Sequence, residues 1–295
     1  MARIAIVGVG AIGGVVASLL YSTRKHELFL CTRTPLSELT VETPDGRICV
    51  DATKCANPSE AQPVDWVVVA TKAYDVAGAT QWLEKLCANG GPVAVLQNGV
   101  EHRARFAPYV PVDKIVPVIV DCAAERKSPT LLAQRGPMNL KVHDGALGSA
   151  FVNLFAGSKA DATVVGDWQT VAWRKLCHNS AGVLSALVLQ PNSVMHGEAM
   201  GEAALAIVRE CVAVGRAVGA KLDDDVPEAV LDAYRKAAPD GVNSLFADRR
   251  AGKPMEIDAR NGVIVRLGKK YDIPTPANSM AVALLEAMVN PAQGA

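Results

Sequence analysis

Ala2-Arg-Ile-Ala-Ile-Val-Gly8-Val9-Gly10-Ala11-Ile12-Gly13-Gly14, followed by Val15-Val-Ala-Ser-Leu-Leu20, is the stretch that decides the fold. A short apolar, β-rich run leads straight into Gly-x-Gly-x-x-Gly, and the residues from Val15 onward read as a helix. Each glycine has a physical reason to be there. Gly8 permits the tight turn, Gly10 lets the backbone approach a pyrophosphate, and Gly13 lets the helix pack closely on the strand. The helix N-terminus then offers free N–H groups to the phosphates. A glycine-rich turn alone would satisfy the spacing. Strand, glycines and helix in this order instead predict a dinucleotide-binding βαβ unit, with Gly8, Val9, Gly10, Ala11, Ile12 and Gly13 as cofactor-binding positions.

The bulk properties are those of an ordinary globular chain with room for two cores. There are 295 residues, half of them hydrophobic, and the formal net charge is zero. Without a basic run or many aromatics, nucleic acid is not an expected partner. No apolar stretch has membrane-spanning length, so no membrane partner is expected. The first strand, beginning at Ala2, is read as leaving no room for a signal peptide. Seven scattered cysteines without a Cys-x-x-Cys pair read as reduced thiols in a cytoplasmic protein. The five histidines do not cluster, so no metal site is expected.

Beyond the first unit the pattern continues to alternate. Leu28–Cys31, Asp65–Ala70, Pro92–Leu96 and Ile115–Val120 read as strands separated by helices, the mark of a parallel sheet buried on both faces. Ligands in that architecture sit beyond the carboxyl ends of the strands, which singles out Thr32, Arg33, Lys72, Asn98 and Asp121. Leu131–Ala133, Asn139–Val142 and Ala162–Val165 read as short antiparallel additions at one sheet edge. After Trp168 the chain reads as helices over 170–189, 197–218, 227–237, 258–271 and 277–288. The expected fold is an α/β N-terminal Rossmann domain with a parallel sheet (1–166), followed by an all-α C-terminal domain (167–295).

The second strand also bears on which dinucleotide is bound. An acidic residue at its end bonds a ribose 2′-hydroxyl, whereas an arginine there accommodates a 2′-phosphate. Here the chain reads Leu30-Cys31-Thr32-Arg33-Thr34, with no Asp or Glu before Glu38. Arg33 offers a forked, charge-assisted contact and Thr32 a hydroxyl, so NADP (as NADPH) is the expected cofactor. The competing reading of Arg33 is a surface arginine in a loop.

In the second half, Trp173-Arg174-Lys175-Leu176-Cys177-His178-Asn179 places Lys175 and Asn179 four residues apart on one helix face. Spacing alone leaves a solvent-exposed stripe with a snorkelling lysine equally open. Farther on, Asn243-Ser244 precedes a polar stretch, and Met255-Glu256-Ile257-Asp258 opens another helix. Asp258 reads as its N-cap, and Glu256 reads equally well as a surface carboxylate.

Taken together, these segments resemble the ketopantoate reductases (2-dehydropantoate 2-reductases) and their wider 2-oxoacid reductase relatives, nearly end to end. The resemblance rests on the glycine loop, Thr71-Lys72-Ala73, Gln97-Asn98-Gly99, Trp173-Arg174-Lys175-Leu176-x-x-Asn179, Pro191-Asn192, Ser244, Met255-Glu256-Ile257-Asp258 and Asn261-Gly262. It implies that NADPH delivers hydride to the ketone carbon of a 2-oxoacid, with Lys175 as general acid and Glu256 contacting substrate and cofactor. It also implies cofactor contacts from Lys72 and Asn98, and substrate contacts from Asn98, Asn179, Asn192 and Ser244. One position departs from the family pattern. Val183 stands where a substrate-binding asparagine is expected, which leaves an apolar pocket wall and keeps a different 2-oxoacid or ketone open as substrate. A non-catalytic NADP sensor is the remaining alternative. Lys175, Asn98 and Glu256 weigh against it, because a sensor needs only the glycine loop and Arg33. The sequence leaves the oligomeric state open, a homodimer being the assembly considered.

Overall fold

The structure is a computed structural model that describes residues 1–289; the last part of the predicted second domain, 290–295, lies outside the described residues. The chain divides into two compact units, Met1–Trp168 and the remainder from Gln169. In order, the first contains β1 (Ala2–Val7), α1 (Ala11–Ser22), β2 (His26–Cys31), β3 (Thr40–Thr43), β4 (Gly46–Cys49) and β5 (Thr53–Cys55). It continues with β6 (Trp66–Val69), α2 (Val76–Leu86), β7 (Val93–Val95), α3 (His102–Phe106) and β8 (Ile115–Asp121). Last come β9 (Ala124–Arg126), β10 (Leu131–Gln134), β11 (Met138–His143), α4 (Ala146–Leu154) and β12 (Ala160–Val165).

The main sheet has the order β12-β11-β8-β7-β6-β1-β2-β5. Every pairing from β5 through β8 is parallel, and Ile4–Val7, Trp66–Val69 and Val93–Val95 are buried, as two-sided cover requires. The chain leaves β1 toward β2 on one side and returns to β6 on the other. This reversal opens a crevice above the carboxyl end of β1.

The late strands differ from the expected edge additions. β11 does run antiparallel against β8, but β12 is parallel to β11. β10 leaves the main sheet altogether and joins a second, four-stranded sheet of order β4-β3-β10-β9. The reason lies in α1, which is buried without interruption from Gly13 to Leu20. A helix apolar all round must be covered on both sides. Gly13 lets it sit on the main sheet, and at Gly14 a Cβ would come within 2.0 Å of Leu132 Cδ1 on β10. Leu39, Val41 and Leu132 therefore complete the core around Val15, Val16, Leu19 and Leu20.

The second unit is helical among the described residues: α5 (Trp168–Ala181, beginning at the unit boundary), α6 (Val183–Val188), α7 (Glu198–Ala217), α8 (Val226–Lys236), α9 (Ser244–Arg250), α10 (Val263–Lys270) and α11 (Pro276–Val289). The helix expected over 170–189 is broken at Gly182. The helix expected from Asp258 begins as a single π-type stretch, Asp258–Gly262. Asp258 does not cap it, since Ile257 already has helical dihedrals and the Asp258 carboxylate accepts from Arg266. No described helix is long and apolar enough to cross a membrane.

Candidate functional site

In the first unit the glycine loop is shaped by contacts that leave one side open. Gly8 has φ +92°, donates its N–H to the Cys31 carbonyl at 3.0 Å, and has Thr71 so close that a Cβ would lie 2.7 Å from it. A Cβ on Gly13 would fall 2.1 Å from the Gly8 carbonyl oxygen, so the start of α1 is pressed onto the end of β1. At Gly10, by contrast, a Cβ would meet nothing within 4 Å. Gly10 is the N-cap of α1 without a side-chain cap bond, and the first turn has no acidic residue. The loop is thus an open cradle of backbone donors at the positive end of a helix, suited to phosphate. Val9 is buried in the core, so only its backbone faces the cradle, and Ala11 and Ile12 are half-buried.

Thr32 and Arg33 leave the carboxyl end of β2. The Thr32 hydroxyl donates to the Thr34 carbonyl at 2.7 Å, which fixes the turn. Arg33 is 77% exposed, and its Nη1 lies 3.3 Å from Asp75 Oδ2. Asp75, just before α2, was missed in the sequence because it is far from β2 along the chain. A phosphate arriving at Arg33 would have to displace or share with that carboxylate.

Lys72 and Asn98, both half-buried, follow β6 and β7. Their two loops are tied together by Gln97, whose role the sequence did not reveal. The buried Gln97 side-chain amide nitrogen donates to Thr71 Oγ1 at 2.9 Å and to the Lys72 carbonyl at 3.2 Å, and the Gln97 backbone carbonyl pairs with His102 Nε2 at 2.8 Å. Gly99, at φ +108°, lets the chain turn away immediately after Asn98.

In the second unit, Lys175 and Asn179 lie one turn apart on α5 and are half-buried. The C-terminal end of α5 is held by side chains from other elements. Tyr234 Oη donates to the His178 carbonyl at 3.1 Å, Arg260 Nη2 to the Asn179 carbonyl, Asn261 Nδ2 to the Ser180 carbonyl at 3.1 Å, and Asn243 Nδ2 to the Gly182 carbonyl at 3.0 Å. The His178, Asn179 and Ser180 carbonyls belong to the last turn of α5, where a helix end lacks the usual i+4 donors, and a cationic donor among them suits the negative end of the helix; the Gly182 carbonyl also accepts from Ala186 N–H at the start of α6. Gly182 is required here because a Cβ would lie 2.7–2.9 Å from Tyr234, Arg260 and Asn243. Burial pushes the Tyr234 phenol up to about 12, so it stays a donor, with Arg260 acting in the opposite direction. Burial pulls the Arg260 guanidinium below the usual arginine range, opposed by Tyr234, Glu256 and Asp248.

Glu256 is 4% exposed and lies one helical turn before Arg260, so it is a buried carboxylate and not the surface one that the sequence left open. Ser244 is the exposed first residue of α9, held there by the Asn243 cap, whose Oδ1 accepts from Leu245 and Phe246 N–H. The Asn192 N–H donates to the Gly241 carbonyl at 2.9 Å, and its Oδ1 is buried without a hydrogen-bond partner among the described residues. Val183 is 0% exposed, within a run of buried residues, 180–186, that continues across the break at Gly182.

Fold and loop geometry together define a doubly wound dinucleotide-binding unit joined to a helical unit that carries a lysine, an asparagine and a buried carboxylate on adjoining elements. Residues 4–144 match the family model described as ketopantoate reductase PanE/ApbA, and residues 167–289 match its C-terminal counterpart. The chain belongs to that family. It is 47% identical to a 2-dehydropantoate 2-reductase of Caulobacter vibrioides over 97% of this chain and 99% of that one. It is 38% identical to one of Mycobacterium tuberculosis, over 96% and 97% respectively. Among solved structures, a PanE/ApbA family ketopantoate reductase from Ralstonia eutropha aligns with a TM-score of 0.90 at 29% identity, covering 99% of this chain and 100% of that chain.

Proposed function

We propose that this protein catalyses the NADPH-dependent reduction of 2-dehydropantoate to pantoate. The observation that carries the reading is α5, which presents Lys175 and Asn179 one turn apart while donors from three other elements hold its end in place. The residues present fit the cofactor. The open face at Gly10 and the bare N-terminus of α1 suit a pyrophosphate, and exposed Arg33 suits a 2′-phosphate. When held there, NADPH would supply the hydride that reduces the ketone carbon. Lys175 polarises the ketone oxygen and donates a proton from Nζ to the alkoxide that develops there. Asn179 and Ser244 bind substrate, Asn98 orients substrate and nicotinamide, and Lys72 balances charge near the ring. Glu256 orients Lys175 and holds a substrate or ribose hydroxyl. Asn192 belongs to the same set through its family position alone. Relatives named 2-dehydropantoate 2-reductase that match nearly the full chain favour this substrate over another 2-oxoacid, with Val183 standing where the family's asparagine is expected. A cytoplasmic homodimer is the form in which we place the enzyme.

The test is NADPH oxidation against 2-dehydropantoate and a panel of other 2-oxoacids. 2-Dehydropantoate should be turned over fastest, and Lys175→Met should lower kcat by about 10²–10⁴-fold with NADPH binding retained. Faster turnover of another oxoacid, or an undiminished Lys175→Met, refutes the proposal. Arg33→Ala should weaken NADPH binding by about 10-fold or more and leave NADH binding nearly unchanged. Equal losses would reject the preference for NADP.

A further inference from the structure

A cation sits on the glycine loop without an anion to match it. The Nη2 of Arg126, the last residue of β9, donates to the carbonyl of Val9, the residue between the first two glycines of the loop. Its Nη1 donates to the Pro129 carbonyl at 2.6 Å. Both partners are neutral, and no carboxylate among the described residues lies within 4.0 Å of this guanidinium. The charges around it are matched. Glu125 pairs with Arg135 at 2.5 Å, and Glu42 pairs with Lys127 at 2.5 Å and with Arg47 at 2.8 Å. Desolvation against the loop pulls Arg126 below the usual arginine range.

Arg126 is exposed, and its guanidinium is anchored on two neutral carbonyls at the edge of the glycine loop, where an arriving anion could also reach it. The N-terminus of α1 already carries the positive end of a twelve-residue helix, and it has no acidic residue in its first turn and no side-chain cap. A guanidinium added beside it raises the positive potential further. The space in front of Gly10 is open to receive a group that satisfies both. The second sheet brings the cation there, because β9 pairs with β10 and both pack against α1.

We propose that Arg126 is a pyrophosphate-binding residue, donating to a dinucleotide phosphate held by the glycine loop. The proposal rests on the dinucleotide reading above and adds to it a charge from outside the loop motif. Since the pyrophosphate is common to NADPH and NADH, Arg126 serves both, unlike Arg33.

Calorimetric titration of the full-length protein with NADPH and with NADH tests this, alongside thermal unfolding without ligand. Arg126→Met should weaken both dinucleotides by the same factor, about 10-fold or more, while the unliganded unfolding temperature falls no further than it does for Arg126→Gln. Arg126→Gln keeps a donor for the Val9 carbonyl but removes the charge. It should bind as weakly as Arg126→Met, whereas Arg126→Lys should recover part of the loss. Unchanged affinities, a loss confined to NADPH, or full rescue by Arg126→Gln would each overturn the proposal, the last by making Arg126 a structural clamp on the loop. Wild-type protein that binds neither dinucleotide would overturn the underlying reading and the proposal with it. A wild type that binds while the variants bind equally well would overturn the proposal alone.

Discussion

Gly182→Ala adds one methyl group at the point where the helix carrying Lys175 is broken. Gly182 has φ −63° and ψ −9°, right-handed dihedrals that alanine adopts without strain. On propensity alone the substitution should therefore stabilise by up to about 1 kcal/mol. The surroundings reverse that sign. The new methyl would lie 2.7 Å from Tyr234 Oη, 2.9 Å from Arg260 Nη2 and 2.9 Å from Asn243 Nδ2. Tyr234 and Arg260 are buried and Asn243 is fixed as the cap of α9, so none can swing into solvent. Disturbing three hydrogen bonds at about 1 kcal/mol each, less the gain in propensity, leaves a net loss of ~2–3 kcal/mol. For a unit of this size that is a fall of roughly 8–12 °C in Tm. Thermal and urea unfolding of the variant would measure it. Tyr234→Phe removes the closest of the three contacts, so the double variant should lose less than the sum of the singles by at least ~0.5 kcal/mol. A Gly182→Ala protein as stable as the wild type, or more so, would refute the account of the helix break, as would strict additivity with Tyr234→Phe.

Three further outcomes follow from the same geometry. Val183→Asn buries an amide at a fully enclosed position, so it should cost ~1–3 kcal/mol in urea unfolding without lowering KM for 2-dehydropantoate; a lower KM would return residue 183 to the substrate site. Gly10→Ala meets no atom of the protein and should fold normally while losing dinucleotide binding, whereas Gly13→Ala drives a methyl onto the Gly8 carbonyl and should lower Tm by several degrees; the reverse pattern in paired melting and binding curves would exclude an open cradle. Burial raises the Tyr234 phenol from 10.0 to about 12, so the folded state keeps it protonated where the unfolded chain ionises it. Its contribution should be fully present below pH 10 and should fall as pH rises toward 12, and the stability difference between wild type and Tyr234→Phe should shrink over that window. A difference that stays constant from pH 9 to 12, on the order of that window, would remove the phenol from the buried network.

Some of the site could be read from the chain because its reasons are local. The turn at Gly8 and the tight packing at Gly13 depend on neighbours a few residues away, so strand, glycines and helix announced them together. Lys175 and Asn179 were legible for the same reason, since a spacing of four on a helix fixes a common face. Where the sequence misled, the deciding contacts came from elsewhere in the chain. Nothing near Leu131–Ala133 says that it must cover the outer side of α1, although a helix apolar on every face already implied a second cover. The smooth apolar pattern over 170–189 hid a break at Gly182, which Tyr234, Asn243 and Arg260 crowd from other parts of the chain.

The sequence by itself determined the parallel strands of the main sheet, the glycine turn into α1, the charge at the end of β2 and the polar pair on α5, because each follows from periodicity and spacing over less than three helical turns. Tertiary structure alone decided which polar groups meet. It brought Asp75 to Arg33, Gln97 to Thr71 and Lys72, Arg260 to the end of α5, and Arg126 to the carbonyl of Val9. Each of these contacts joins segments far apart along the chain, and their meeting depends on how sheets and helices pack around a shared core, which no local pattern encodes.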